Sequence, residues 1–253
     1  MDTTIISGGL RLAAHLSRPA TPVTEPPPGL VLCHGFPSDP GGAAALAQTY
    51  PELADHLAAD GGWVVLTFNF RGAGESEGDF SLGDWLDDLR AAVDHLLDTE
   101  SVSGVWLAGS STGGALAICE AAEDERVRGV ACLAAPATFS GWADDPQGLL
   151  AHSRDVGVIT DPDHPRDPER WTRELVEIEP ISVVAKIPPR PLLIVHGSDD
   201  ETVPLEAGRL LVEAAGDGAE LRVVSQAGHR LRHDPRVVAI LLGWLEQMAA
   251  EGP

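Results

Sequence analysis

Basic residues are scarce in this chain. There is one lysine, Lys186, and Lys and Arg together number 17 against 39 Asp and Glu, a formal net charge of −22. A surface of that sign repels other polyanions, so neither nucleic acid nor an anionic membrane surface is expected as a partner. The acidity fits a solvated acidic face or adaptation to high salt. Long hydrophobic runs are also missing, since no segment approaches the roughly 18 to 20 apolar residues that span a bilayer. The first residues carry Asp2 and lack a basic region followed by an apolar core, so no secretory signal is expected and the chain reads as cytoplasmic. Cysteine is sparse as well: Cys33, Cys119 and Cys132 are odd in number and lie in apolar surroundings. That points to buried thiols in a reducing compartment, not to a disulfide framework or a metal knuckle.

What is present is a globular balance, 43% hydrophobic and 22% charged over 253 residues, enough for a single domain over 1–253 with a buried core. Short apolar runs alternate with helical stretches, which is how an α/β fold reads when a mostly parallel sheet has helices on both faces. The expected strands are 29–34, 63–70, 105–110, 127–135, 190–197 and 219–226, and their continuous hydrophobicity predicts cover on both faces. Helical spacing marks 42–59, 82–98, 112–123, 204–215 and 235–250, most clearly where Trp85, Leu86, Leu89, Val93, Leu96 and Leu97 recur. Residues 3–18 predict an antiparallel hairpin about Ser7-Gly8-Gly9, and the Pro-rich stretch 21–29 an extended connection. Roughly 137–186 is too long for a simple crossover and reads as a lid insertion.

The strand VWLAGS runs into Gly109-Ser110-Ser111-Thr112-Gly113-Gly114 and then a helical run, so G-x-S-x-G stands in a strand–turn–helix context. Glycines at 109 and 113 relieve crowding at a sharp turn whose apex, Ser111, is pushed out above a helix N-terminus, where negative charge is favoured. A serine nucleophile needs a base, and the base needs an acid to orient it. Both follow in chain order, as carboxylates after PLLIVHG at Asp199 and Asp200 and as His229 after ELRVVSQ. Asp199 and His233 are the competitors for these roles.

With those residues in place, nearly the whole chain resembles the α/β-hydrolase superfamily. His34-Gly35-Phe36 looks like the family's oxyanion loop, Asn69 to Ser76 is similar to its aromatic–basic–Gly-x-Gly-x-Ser strand end, and HGSDDETVP resembles its His-Gly-x-x-Asp-x-x-Val-Pro segment. The resemblance implies Ser111 as nucleophile, His229 as base and Asp200 as acid. It also implies the backbone amides of Phe36 and Thr112 as oxyanion donors, with His34 and His196 fixing their loops.

Serine rather than aspartate at 111 argues against dehalogenase and epoxide hydrolase chemistry and leaves acyl-group hydrolysis. The expected substrate is a small to medium carboxylic ester; a lactonase, a peptidase or a cofactor-free haloperoxidase uses the same residues. A non-enzymatic binding module is disfavoured by the complete triad. No cofactor and no metal are expected: His152, Asp161, Asp163, His164 and Asp167 have no metal-site spacing. In the insertion, Trp142, Leu149, Leu150, Trp171, Leu175 and Val176 can wall an acyl pocket or form the insertion's own core.

Overall fold

A computed structural model describes residues 1–20, 25–46 and 50–251. Residues 21–24 of the expected Pro-rich connection and 47–49 of the expected helical stretch lie outside the described residues. The strands are β1 (Asp2–Ser7), β2 (Leu10–Ser17), β3 (Gly29–Cys33), β4 (Val64–Phe68), β5 (Val105–Ser110), β6 (Val127–Leu133), β7 (Leu192–Gly197) and β8 (Ala219–Val224). The helices are α1 (Ala43–Leu46), α2 (Tyr50–Gly61), α3 (Leu82–Thr99), α4 (Thr112–Glu123), α5 (Ser140–Asp144), α6 (Pro146–Val156), α7 (Pro168–Glu177), α8 (Pro180–Val183), α9 (Leu205–Ala215) and α10 (Pro235–Glu251).

The strands form one sheet in the order β1-β2-β4-β3-β5-β6-β7-β8. The N-terminal hairpin is antiparallel within itself and against β4, and every other pairing is parallel. Its two-residue turn uses Gly8 and Gly9, both at positive φ, as a tight right-twisted hairpin requires. Side chains alternate across the sheet. Val31, Leu66, Leu107, Cys132 and Ile194 pack on one face with α3, α4 and α9. Leu30, Val65, Trp106, Ala131 and Leu193 pack on the other with α2 and α10.

Cover on both faces, the expectation for all six long strands, holds for the inner ones and fails for β8. That strand is the sheet edge, and its Glu220, Arg222 and Val223 are exposed while Ala219 and Leu221 are half-buried. Among the described residues no further strand flanks β8 on its outer side. Segment 137–186 contributes α5 to α8, and its Leu149, Trp171 and Leu175 are buried in the main core. Those three side chains therefore anchor the segment, whereas Val176 is exposed. No helix among the described residues is long and apolar enough to cross a membrane.

Parallel strands place all their C-terminal ends along one edge of the sheet. The turns after β3, β4, β5, β7 and β8 meet there.

Candidate active site

The turn from β5 into α4 is sharp, since β5 ends at Ser110 and α4 begins at Thr112. Ser111 holds φ 50° and ψ −123°, a conformation that side chains rarely adopt and that persists only where the surroundings impose it. They do so by close approach of backbone to backbone. A Cβ on Gly109 would stand 2.5 Å from the Gly113 carbonyl carbon, and one on Gly113 would collide with the His34 carbonyl. Ser111 is half-buried, at the head of an almost wholly buried helix α4.

The His34-Gly35-Phe36 turn closes on it. A Cβ on Gly35 would lie 2.9 Å from both the Ser110 carbonyl oxygen and Ser111 Cβ, so glycine is what admits the turn to this position. Among the described residues, the amides of Phe36 and Thr112 donate to no protein acceptor. His34 holds the turn: its Nε2 accepts from the Phe70 amide at 3.0 Å, which leaves the proton on Nδ1 to donate to the Gly35 carbonyl at 2.8 Å. Burial pushes its pKa down to about 4, against a smaller upward pull from the Gly35 bond.

His229 follows β8 and reaches both partners. Its Nε2 lies 3.0 Å from Ser111 Oγ and its Nδ1 lies 2.9 Å from Asp200 Oδ2. An ionised carboxylate only accepts, so Nδ1 carries the proton and Nε2 is free to accept from the serine hydroxyl. The other oxygen of Asp200 accepts from the Thr202 and Val203 amides at 3.0 and 2.8 Å. Burial of Asp200 raises its pKa, but the bonds from His229 and the two amides outweigh that and hold the carboxyl below its ordinary value. His196 is buried beside it and donates from Nε2 to the Val203 carbonyl at 2.8 Å, which ties the loop down.

The competitors lie elsewhere. Asp199 is exposed and accepts from Ser198 Oγ at 2.6 Å, a bond internal to its own loop. His233 is exposed and ends a short 3-10 turn, Leu231–His233, ahead of α10. The five-residue His and Asp group in 152–167 forms no metal-holding cluster among the described residues. His164 instead bonds the Phe80 carbonyl at 2.8 Å.

The Asn69 to Ser76 segment does structural work at this edge. The Arg71 guanidinium is buried against Asp88 at 2.6 Å and Asp84 at 3.1 Å and also donates to Ser7. Ser76 Oγ donates to the Asn69 carbonyl and accepts from the Ala13 amide, which fastens the hairpin to the turn after β4.

Of the insertion's apolar residues, Trp142 is the one whose ring meets the site. It lies 5.1 Å from the Phe36 ring, and His152 lies 5.8 Å from the same ring. Arg230, next to His229, pairs with Asp39, three residues past Phe36, at 2.7 Å, with both side chains about two-thirds exposed (66% and 70%). Sequence reasoning did not single out Tyr50, Arg232, Arg230 or Asp39. The available signals were a lone tyrosine and the run HRLRHDP that begins at His229.

A model of the α/β hydrolase fold matches residues 28–153. The protein YfhR of Escherichia coli O157:H7 is 25% identical over 167 residues, 65% of this chain. The chain spans about half the length of the YfhR relatives it matches, 52% for this one. A monoacylglycerol lipase of Mycolicibacterium smegmatis is 24% identical over 266 residues, covering 92% of this chain and 91% of that one. Among solved structures, the esterase domain of a Rhodothermus marinus protein superposes with TM-score 0.70 at 23% identity, over 98% of this chain and 96% of the other. At that identity the likeness is one of fold.

Proposed function

Since the chain belongs to the α/β-hydrolase superfamily, we propose that it is a serine carboxylesterase in which Ser111 is the nucleophile, His229 the general base and Asp200 the orienting acid. The observation that carries this reading is the unbroken hydrogen-bonded chain from Ser111 Oγ through both nitrogens of His229 to Asp200 Oδ2. In the proposed cycle, Ser111 Oγ attacks the ester carbonyl as its proton passes to His229 Nε2, and Asp200 stabilises the imidazolium without itself being protonated. The oxygen of the tetrahedral intermediate is received by the amides of Phe36 and Thr112, each such donor typically worth about 3 kcal/mol of barrier. His229 then returns the proton to the departing alcohol. In the second half, water gives its proton to the same nitrogen and attacks the acyl-enzyme, and His229 returns that proton to Ser111 Oγ as the acid is released.

Segment 137–186 is proposed to act as a lid over this site. Its Trp142 beside Phe36 supports an apolar wall for the acyl or alcohol group, and the esterase and lipase among its relatives agree with a small-molecule ester as substrate. The test is a panel of chromogenic esters of varied acyl length, with fluorophosphonate labelling of the wild type and Ser111→Ala. Hydrolysis and labelling are expected in the wild type and neither in the variant. No labelling at all, or labelling that survives the substitution, would overturn the proposal.

A further inference from the structure

Ser111, His229 and the Phe36 amide come from three separate turns, and a shift of one against another by a fraction of an ångström would break the relay. One aromatic ring lies against both the Phe36 turn and the segment that follows His229. Tyr50, the first residue of α2 and the only tyrosine in the chain, is buried at 3% exposure. Its ring meets His34 of the Phe36 turn edge-on at 6.1 Å. The Arg232 guanidinium, three residues past His229, lies over the same ring at 5.0 Å from its centre. The Tyr50 hydroxyl is buried and meets no partner at hydrogen-bond geometry among the described residues.

The His229 turn is also held by the bonds of His229 to Asp200 and Ser111 and by the exposed Arg230–Asp39 pair. Gly228, His229 and Arg230 are exposed or half-exposed, Leu231 is buried, and the Leu231 amide bonds back to the His229 carbonyl at 2.8 Å. Beyond Leu231, the contact of Arg232 with Tyr50 fastens this turn to α2, which packs on the sheet through Ala54, Leu57 and Ala58. A cation above a desolvated aromatic face is attracted to it at little cost in order, because the ring is already fixed.

We infer that Tyr50 and Arg232 are positioning residues that clamp the His229 turn and the His34–Phe36 turn at a fixed spacing about Ser111. The inference rests on the serine-hydrolase reading. It assigns Arg232 to turnover rather than to substrate affinity, since Arg232 bears on the turn that carries His229 and not on the acyl wall. Tyr50 acts through its ring, so phenylalanine serves in its place and leucine does not.

The experiment measures kcat and KM on a chromogenic ester for Arg232→Met, Arg232→Lys, Tyr50→Phe, Tyr50→Leu and the Met/Leu double variant, with hydrogen exchange of residues 227–234 alongside. Arg232→Met is expected to lower kcat about tenfold with KM within about twofold, as displacement of a catalytic group costs turnover. It should also speed exchange in 227–234. Arg232→Lys and Tyr50→Phe should recover most of both readouts, and the double variant should lose no more than its worse single parent. Unchanged kcat and exchange in Arg232→Met would overturn the clamp. So would independent, multiplying losses in the double variant, or a loss confined to KM. Should Tyr50→Leu not fold, the two Arg232 variants decide the matter alone. Failure of the underlying reading is separable, because it would show as activity retained in Ser111→Ala while the exchange data still report on the clamp.

Discussion

His34 makes the stability of the fold depend on pH in a way that can be isolated. The ring is 1% exposed, surrounded by Tyr50, Phe70 and Trp85, and its pKa is pushed down to about 4 from the ordinary 6.5. Between those values the unfolded chain takes up a proton that the folded protein refuses. Stability due to His34 is therefore present above about pH 6.5 and is lost as pH falls towards 4, by about 3 kcal/mol in all, since each tenfold change in proton concentration is worth about 1.4 kcal/mol there. Glu120 works the other way. Burial lifts its pKa to about 7, so the folded protein holds a proton that the unfolded chain releases, and stability gains as pH falls through that range. The bare pH curve mixes the two, and the His34→Gln variant separates them. Glutamine retains a donor and an acceptor but does not titrate. Its free energy of unfolding in urea is expected to lie below that of the wild type at neutral pH, and the gap should close or reverse by about 3 kcal/mol towards pH 4. A gap of the same size at both ends would refute the assignment of His34 as a buried neutral ring.

Asp200→Asn should lower kcat by about four orders of magnitude through loss of the tautomer that frees His229 Nε2, while Asp199→Asn leaves it nearly unchanged. Steady-state ester hydrolysis checks both, and the opposite ranking would exchange the two acids. Gly113→Ala should destabilise by about 1 to 3 kcal/mol or more, because its Cβ would meet the His34 carbonyl and the backbone must move; thermal unfolding reads this directly. Removing one side of the buried pair in Arg71→Met should cost about 3 to 5 kcal/mol, since Asp88 is left charged in the core. Arg230→Ala should change stability by no more than about 1 kcal/mol, because its bond to Asp39 is exposed to solvent.

The parts of the molecule most legible in the sequence are those where one local rule decides. Ser111 was marked by glycines that backbone contacts make obligatory, and α3 by its spacing; the Ser81 hydroxyl, which accepts from the Asp84 amide, caps that helix without having been read from the sequence. Asp200 was separable from Asp199 only through likeness to a family segment, because two adjacent carboxylates look alike until the loop's amides select one. The burial of Leu149, Trp171 and Leu175 could not be read, since a helix's apolar stripe does not say which neighbour it will meet. Tyr50 and Arg232 lie 182 positions apart, and no periodicity connects them. The exposure of β8 was missed for a related reason: edge position is a property of strand order, which hydrophobicity within a strand does not encode.

That exposed edge has a consequence for how the protein behaves at high concentration. Beyond β8 the sheet has no further strand among the described residues, so a row of amides and carbonyls is left available for a neighbouring molecule to add to. Glu220 and Arg222, paired with each other on the solvent side, hold charge along that row. With valine at both positions the strand would read AVLVVV, an uncharged β-prone segment, and the same edge would become the place where precipitation begins.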